Sequence, residues 1–117
     1  MLRARKKDAL HHASEYEGIA VDIEKTQDGS TLTVRVSGRI NMTTSPQLEA
    51  ELIPSLDGIE TLIIDFSKLE YISSAGLRVL LTARKKIGAG DVIIRGTDDV
   101  IAGVFEATGF ATLFTME

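Results

Sequence analysis

Ser73 and Ser74 are the side chains best placed to do chemistry in this chain. They lie within the run Asp65-Phe66-Ser67-Lys68-Leu69-Glu70-Tyr71-Ile72-Ser73-Ser74-Ala75-Gly76-Leu77-Arg78-Val79-Leu80-Leu81. An apolar stretch, Leu62-Ile63-Ile64 with Phe66, precedes a short linking loop, and a strongly apolar helix opens directly after the two serines. Ser74 thus carries a hydroxyl at a helix N-terminus, where unpaired backbone N–H groups and the helix dipole favour negative charge. A phosphate added there is locally stabilised and changes the surface that the helix presents. The plainer role is capping of the helix by Ser73 or Ser74, and the local pattern alone favours it.

Other reactive constellations are weak. The two histidines, His11 and His12, sit in a poorly patterned N-terminal stretch, and the absence of Cys leaves no thiolate to complete a metal site with them. Without them no Ser-His-Asp set can be assembled. Asp65 and Glu70 flank the loop, and exposed capping suits them better than acid–base work. Gly88-Ala89-Gly90 is a turn rather than a phosphate loop, because no Lys-Ser or Lys-Thr follows it. Neither a catalytic residue, nor a metal, nor a cofactor is expected.

The serines need elements to hold them. Residues 19–23 and 31–37 alternate apolar and polar residues like strands, and Gln27-Asp28-Gly29-Ser30 between them has turn chemistry, which predicts a hairpin. Ser45 and Pro46 suit the cap and first turn of a helix, with Leu48, Leu52 and Leu56 on one face and Pro54 kinking or ending it. Residues 61–66 form a continuous apolar strand, a pattern that predicts burial on both faces. A second helix runs over residues 74–87 and stops at Gly88 or Gly90. Val92-Ile93-Ile94 reads as another buried strand. Asp98 and Asp99 open a third helix that stops at Gly109, and residues 111–115 form a short final strand. A hairpin followed by strand–helix alternation implies a mixed α/β sheet of four to five strands with parallel pairs and helices packed against it. Residues 1–18 read as an N-terminal tail or loose helix, and residues 19–117 as the single domain.

On the second helix, Gly76, Val79, Leu80, Ala83 and Ile87 cluster on the side expected to face the sheet. Ser74, Leu77, Arg78, Leu81 and Lys85 fall on another stripe. Coverage of the two leucines by a neighbouring element is a fair reading, since scattered surface leucines are ordinary. A partner-binding stripe is the sharper one.

Composition sets the outer limits. At 117 residues, with 44% apolar and 26% charged residues, the chain suits one soluble core. That core is aliphatic, because aromatics are only 5% and Trp is absent. The lack of Cys fits a reducing compartment, and a cytoplasmic location is expected. No apolar run approaches the roughly 20 residues of a membrane span. Arg3, Arg5, Lys6 and Lys7 make the N-terminus basic without the apolar stretch of a signal peptide. A formal net charge of −4 argues against non-specific nucleic-acid binding.

The run around Ser74 resembles the signature of the STAS domain, the sulphate-transporter and anti-sigma-factor-antagonist family. Bacterial anti-sigma factor antagonists of that family carry an apolar residue, Asp, Ser, a small residue, Gly and Leu in succession. The family's phosphorylated Ser stands two places before the Gly, which is Ser74 before Gly76 here. Val36-Ser37-Gly38-Arg39-Ile40-Asn41 is similar to the family's Gly-x-Leu-Asp strand end. Phe105-Glu106-Ala107-Thr108-Gly109-Phe110 with Leu113-Phe114 is similar to its last helix-to-strand passage. The resemblance covers about residues 19–116. Two positions depart from it: Ser73 stands where the family has Asp before the acceptor, and Asn41 where it has Asp after the strand.

The resemblance implies a STAS-like single domain acting as a phosphorylation-switched binding module and not as an enzyme. The unmodified form is expected to bind an anti-sigma factor of histidine-kinase-like ATPase fold and so free a sigma factor. That kinase would phosphorylate Ser74, and a serine phosphatase would reverse the step. The expected partner surface comprises Ser73, Ser74, Leu77, Arg78, Leu81, Lys85 and Asn41. The alternative is a STAS scaffold or accessory subunit of another bacterial system, a signalling complex or a lipid transporter, with Ser74 only a cap.

Overall fold

The computed structural model describes residues 21–117; the tail reading of residues 1–18, the two histidines and the first two residues of the expected strand lie outside that range. Alternation in the first two strands produces the hairpin. β1 (Val21–Asp28) pairs antiparallel with β2 (Thr31–Ile40), and Gly29 supplies the positive φ of +63° that the tight turn requires. The chain then enters α1 (Ser45–Leu52), a 3-10 turn (Ile53–Leu56) and β3 (Thr61–Ile72). α2 (Ser74–Ile87), β4 (Asp91–Arg95), α3 (Asp99–Thr108), a second 3-10 turn (Phe110–Thr112) and β5 (Thr115–Met116) complete it. The five strands lie in the order β1-β2-β3-β4-β5, parallel from β2 onward. Successive right-handed crossovers that all step in one direction place the three helices on one face.

That one-sidedness corrects the expected two-faced burial of the central strands. Leu62, Ile64 and Phe66 on β3, and Val92 and Ile94 on β4, are buried under the helices. Ile63 and Ile93 point the other way and are only half-buried. Across the open face, pairing aligns Glu24 with Arg35, Arg35 with Asp65, and Asp65 with Arg95. Arg95 Nη2 then lies 3.4 Å from Glu117 Oε1. Charges of alternating sign thus cross the sheet, and such pairs suit a solvent face.

Three further boundaries differ from the sequence expectation. The linker between Phe66 and Ser73 is strand, not loop. The β2–β3 register shifts between Arg35 and Ser37 and again between Gly38 and Arg39, each shift placing one extra residue on β3. The buried positions of β3 therefore step by two through Leu62, Ile64 and Phe66, then by three to Leu69 and Ile72. These steps break the alternation by which a strand is recognised. At the first helix, Thr44 rather than Ser45 is the N-cap, with Pro46 in the first turn as expected. The expected strand at residues 111–115 begins in the second 3-10 turn and continues through a turn at Leu113 and Phe114, and only Thr115–Met116 pairs with β4.

Candidate functional site

β2 and β3 end side by side, with Ile40 opposite Ile72; β3 leads into α2 at once, and β2 leads into α1 through a turn at residues 41–44. The starts of α1 and α2 therefore lie together at the C-terminal edge of the parallel strands. Ser73 N–H donates to the carbonyl of Ile40 at 2.8 Å, tying the start of α2 to the end of β2.

Ser73 is the N-cap of α2. Its backbone is extended, and its Oγ accepts from Gly76 N–H at a long 3.4 Å. Ser74 is the first helical residue and is exposed. Its hydroxyl has no hydrogen-bond partner among the described residues, so it is presented to solvent at the positive end of the helix. The close seating of this turn depends on Gly76. A Cβ there would stand 2.5 Å from Ile40 Cγ2 and 2.9 Å from Ile72 Cγ1.

The neighbouring turn is bonded throughout. Asn41 Oδ1 accepts from Thr43 N–H at 2.9 Å and Thr44 N–H at 3.0 Å. Thr44 Oγ1 accepts from Asn41 N–H at 2.9 Å and donates to the Arg39 carbonyl at 2.7 Å. Asn41, expected on the partner surface, spends its side-chain oxygen inside its own turn.

The stripe expected on α2 divides. Leu77 is 4% exposed and belongs to the core, so its assignment to the partner surface is corrected. The buried arc of the helix runs from Val79 round to Leu77, about 160° at about 100° per residue. Leu77 falls at the far edge of that arc. Ser74, Arg78 and Lys85 form an exposed ridge, and Leu81 is half-buried beside it.

Three residues at this end of the sheet were missed in the sequence. Met42, in the turn before α1, is 78% exposed, and Tyr71, near the end of β3, is 40% exposed. The Arg39 guanidinium carbon lies 4.6 Å from the Tyr71 ring centroid. Large apolar side chains set among polar ones in the segment joining strand to helix were the available signal.

A small cleft opens between α1 and α2, lined by Ser45, Glu49, Ala75, Arg78, Val79 and Thr82. A broader hollow lies on the open face of the sheet around Asp22, Glu24, Arg35, Ser37, Asp65 and Lys68. There the Ser67 hydroxyl donates to Asp65 Oδ1 at 2.7 Å. That bond, with Ser67 N–H and the nearby Arg35 and Arg95, holds the Asp65 carboxyl below its ordinary range against an opposing desolvation. Among the described residues no three metal-ligating side chains gather, and no helix is long and apolar enough to cross a membrane.

Comparison with known proteins agrees with this geometry. The sequence model of the STAS domain matches residues 22–117. BtrV of Bordetella bronchiseptica, named as a candidate anti-sigma factor antagonist, is 37% identical over 82 residues, covering 68% of this chain and 71% of that protein. The anti-sigma-B factor antagonist of Staphylococcus aureus is 30% identical over 96 residues, covering 80% and 89%. Among solved structures, an anti-sigma factor antagonist from Mycobacterium paratuberculosis superposes with a TM-score of 0.71 at 28% identity, covering 83% and 85%. The Bacillus cell fate determinant SpoIIAA in its phosphorylated form shares the fold, with a TM-score of 0.64 at 20% identity, covering 84% and 91%. Sheet order, helix placement and sequence agree, and the chain belongs to the STAS domain family.

Proposed function

We propose that this chain is an anti-sigma factor antagonist switched by phosphorylation of Ser74. One observation carries the reading. Ser74 has an exposed hydroxyl without an internal partner, on the first residue of a helix whose exposed ridge continues through Arg78 and Lys85. A residue serving only as a cap would bond the helix backbone; Ser73 does that, which leaves Ser74 available.

In its unmodified form the chain docks an anti-sigma factor of histidine-kinase-like ATPase fold, and so releases a sigma factor in the bacterial cytoplasm. Docking uses Ser73, Ser74, Arg78, Leu81 and Lys85, with Asn41 shaping the adjoining turn and Met42 and Tyr71 supplying apolar area. The same partner acts as the kinase. Ser74 Oγ attacks the γ-phosphorus of ATP, the bond to the β–γ bridging oxygen breaks, ADP leaves, and the hydroxyl proton passes to a base on the kinase. A serine phosphatase restores the hydroxyl by hydrolysis, releasing inorganic phosphate. The added charge weakens docking at the site of contact. The domain itself acts by binding and not by catalysis. The names of its relatives in Bordetella and Staphylococcus support the role.

The test is a pull-down with the purified chain, followed by mass spectrometry and phosphosite mapping of the same sample. Recovery of a kinase-fold anti-sigma factor, with ATP-dependent label on wild type and none on Ser74→Ala, is expected. Label retained by that variant and mapped to Ser73 moves the acceptor by one residue. Recovery of transporter or scaffold components, with no label, overturns the reading.

A further inference from the structure

We propose that the cleft between α1 and α2 is the seat of the phosphate carried by Ser74, held there by the guanidinium of Arg78 and the hydroxyl of Ser45. The inference rests on Ser74 being the modified residue.

Ser45 is 7% exposed and lines the cleft, and among the described residues its hydroxyl has no hydrogen-bond partner. A buried hydroxyl left unpaired is unfavourable, and such groups are normally satisfied. Here Ser45 lines a cleft that an incoming acceptor can enter.

Arg78 lines the same cleft, is exposed, and forms no ion pair among the described residues. It follows Ser74 by four positions, so the two are neighbours on the helix surface. Helical side chains lean toward the N-terminus, which carries the Arg78 guanidinium back toward Ser74. A phosphate dianion is a strong acceptor for a guanidinium.

The field at the cleft also favours an anion. The N-terminal turns of both α1 and α2 border it, with Ser45 from the first turn of one and Ala75 from the first turn of the other. Glu49 is the opposing charge. It lies on the α1 wall of the cleft and forms no ion pair with Arg78. Its carboxylate opposes a phosphate in the cleft without holding the guanidinium. Lys85 lies two further turns along the exposed ridge, and Arg39 is engaged over Tyr71.

The seat gives the switch a second component. The phosphate adds negative charge at the contact surface and also draws Arg78 off the exposed ridge. Partner affinity then falls twice over without a change of fold.

Phosphoserine installed at position 74 during translation tests the seat without any kinase. Phosphorus NMR is used to follow the second ionisation of the phosphate, ordinarily near pH 6. In the otherwise wild-type chain this ionisation should lie at least about half a pH unit below that of an Arg78→Gln chain, a modest share of what a close opposite charge can exert. Ser45→Ala should raise it by a smaller amount, and Glu49→Gln should lower it. Circular dichroism melts confirm that each variant is folded. Indistinguishable ionisation in the otherwise wild-type, Arg78→Gln and Glu49→Gln chains overturns the seat. The kinase assay fails or succeeds independently, because the phosphate here is built in.

Discussion

The starts of α1 and α2 lie side by side, yet they are built in opposite ways. The turn before α1 is closed by hydrogen bonds: Asn41 Oδ1 and Thr44 Oγ1 between them bind three backbone N–H groups and one carbonyl. The turn before α2 has one long side-chain bond, from Gly76 N–H to Ser73 Oγ, and leaves the next hydroxyl free. Close contact of Gly76 with Ile40 and Ile72, together with the backbone bond from Ser73 N–H to the Ile40 carbonyl, holds α2 in place. A rigid bonded turn thus stands beside one in which a hydroxyl is left for other use. At the two positions where the chain departs from the family's Asp, the residue present is an uncharged acceptor. Asn41 offers an oxygen to two N–H groups and Ser73 offers one to Gly76.

The largest effect should come from Gly76→Val. If close contact rather than side-chain bonding seats α2, the added bulk meets Ile40 and Ile72 and destabilises the fold by about 3 kcal/mol through overpacking. An unchanged denaturant midpoint would show that α2 is held by something else. Thr44→Val keeps the shape of the other turn but leaves Asn41 N–H and the Arg39 carbonyl unpaired. A loss of about 2 kcal/mol in urea unfolding is expected.

Leu81→Asp places a charge beside the exposed ridge. Calorimetric titration should show partner binding weakened by about 2 kcal/mol, the usual threshold for a hot-spot residue. Because Leu81 is half-buried, folding is checked in parallel by circular dichroism. Unchanged affinity in a folded variant would shift the interface to the turn at residues 41–45. Ser73→Ala should cost only about 0.5 kcal/mol, the lower limit for an N-cap, because its bond is long. A loss as large as that of Thr44→Val would erase the contrast between the two turns.

Neither turn contains a titratable side chain, so the smallest effect separates both from the open face of the sheet. Asp65 has a lowered pKa in the folded chain, chiefly through the Ser67 hydroxyl. Its contribution to stability is full above the unfolded-state pKa and is lost as pH falls through the folded one. Asp65→Asn should therefore flatten the acid limb of a stability–pH profile and leave the rank order of the turn variants unchanged. An acid limb identical to wild type would remove Asp65 from the account.

Local chemistry made much of this legible in the sequence. The span of α2 follows from a capping serine at its start and a glycine at its end, where Gly88 takes a φ of +68°. The hairpin follows from alternation around Asp28-Gly29, and the third helix from Asp98 accepting from Ile101 N–H at 2.8 Å. Each of these signals lies within a few residues of the feature it specifies. The exposed position of Ser74 was legible for the same reason.

Other features depended on neighbours distant in the chain. The extra residues in β3 exist only as a mismatch with β2, so residues 67–72 carried no strand period to detect. Leu77 and Leu81 are both leucines four positions apart on one helix, yet one is core and the other sits at the margin of the ridge. Helical periodicity fixes their angular separation, but how wide an arc is buried depends on what packs around the helix. The pairing of the two helix starts into one cleft arises in the same way. Asn41 and Ser73 are 32 positions apart in sequence, and parallel pairing of the strands before them makes their turns neighbours.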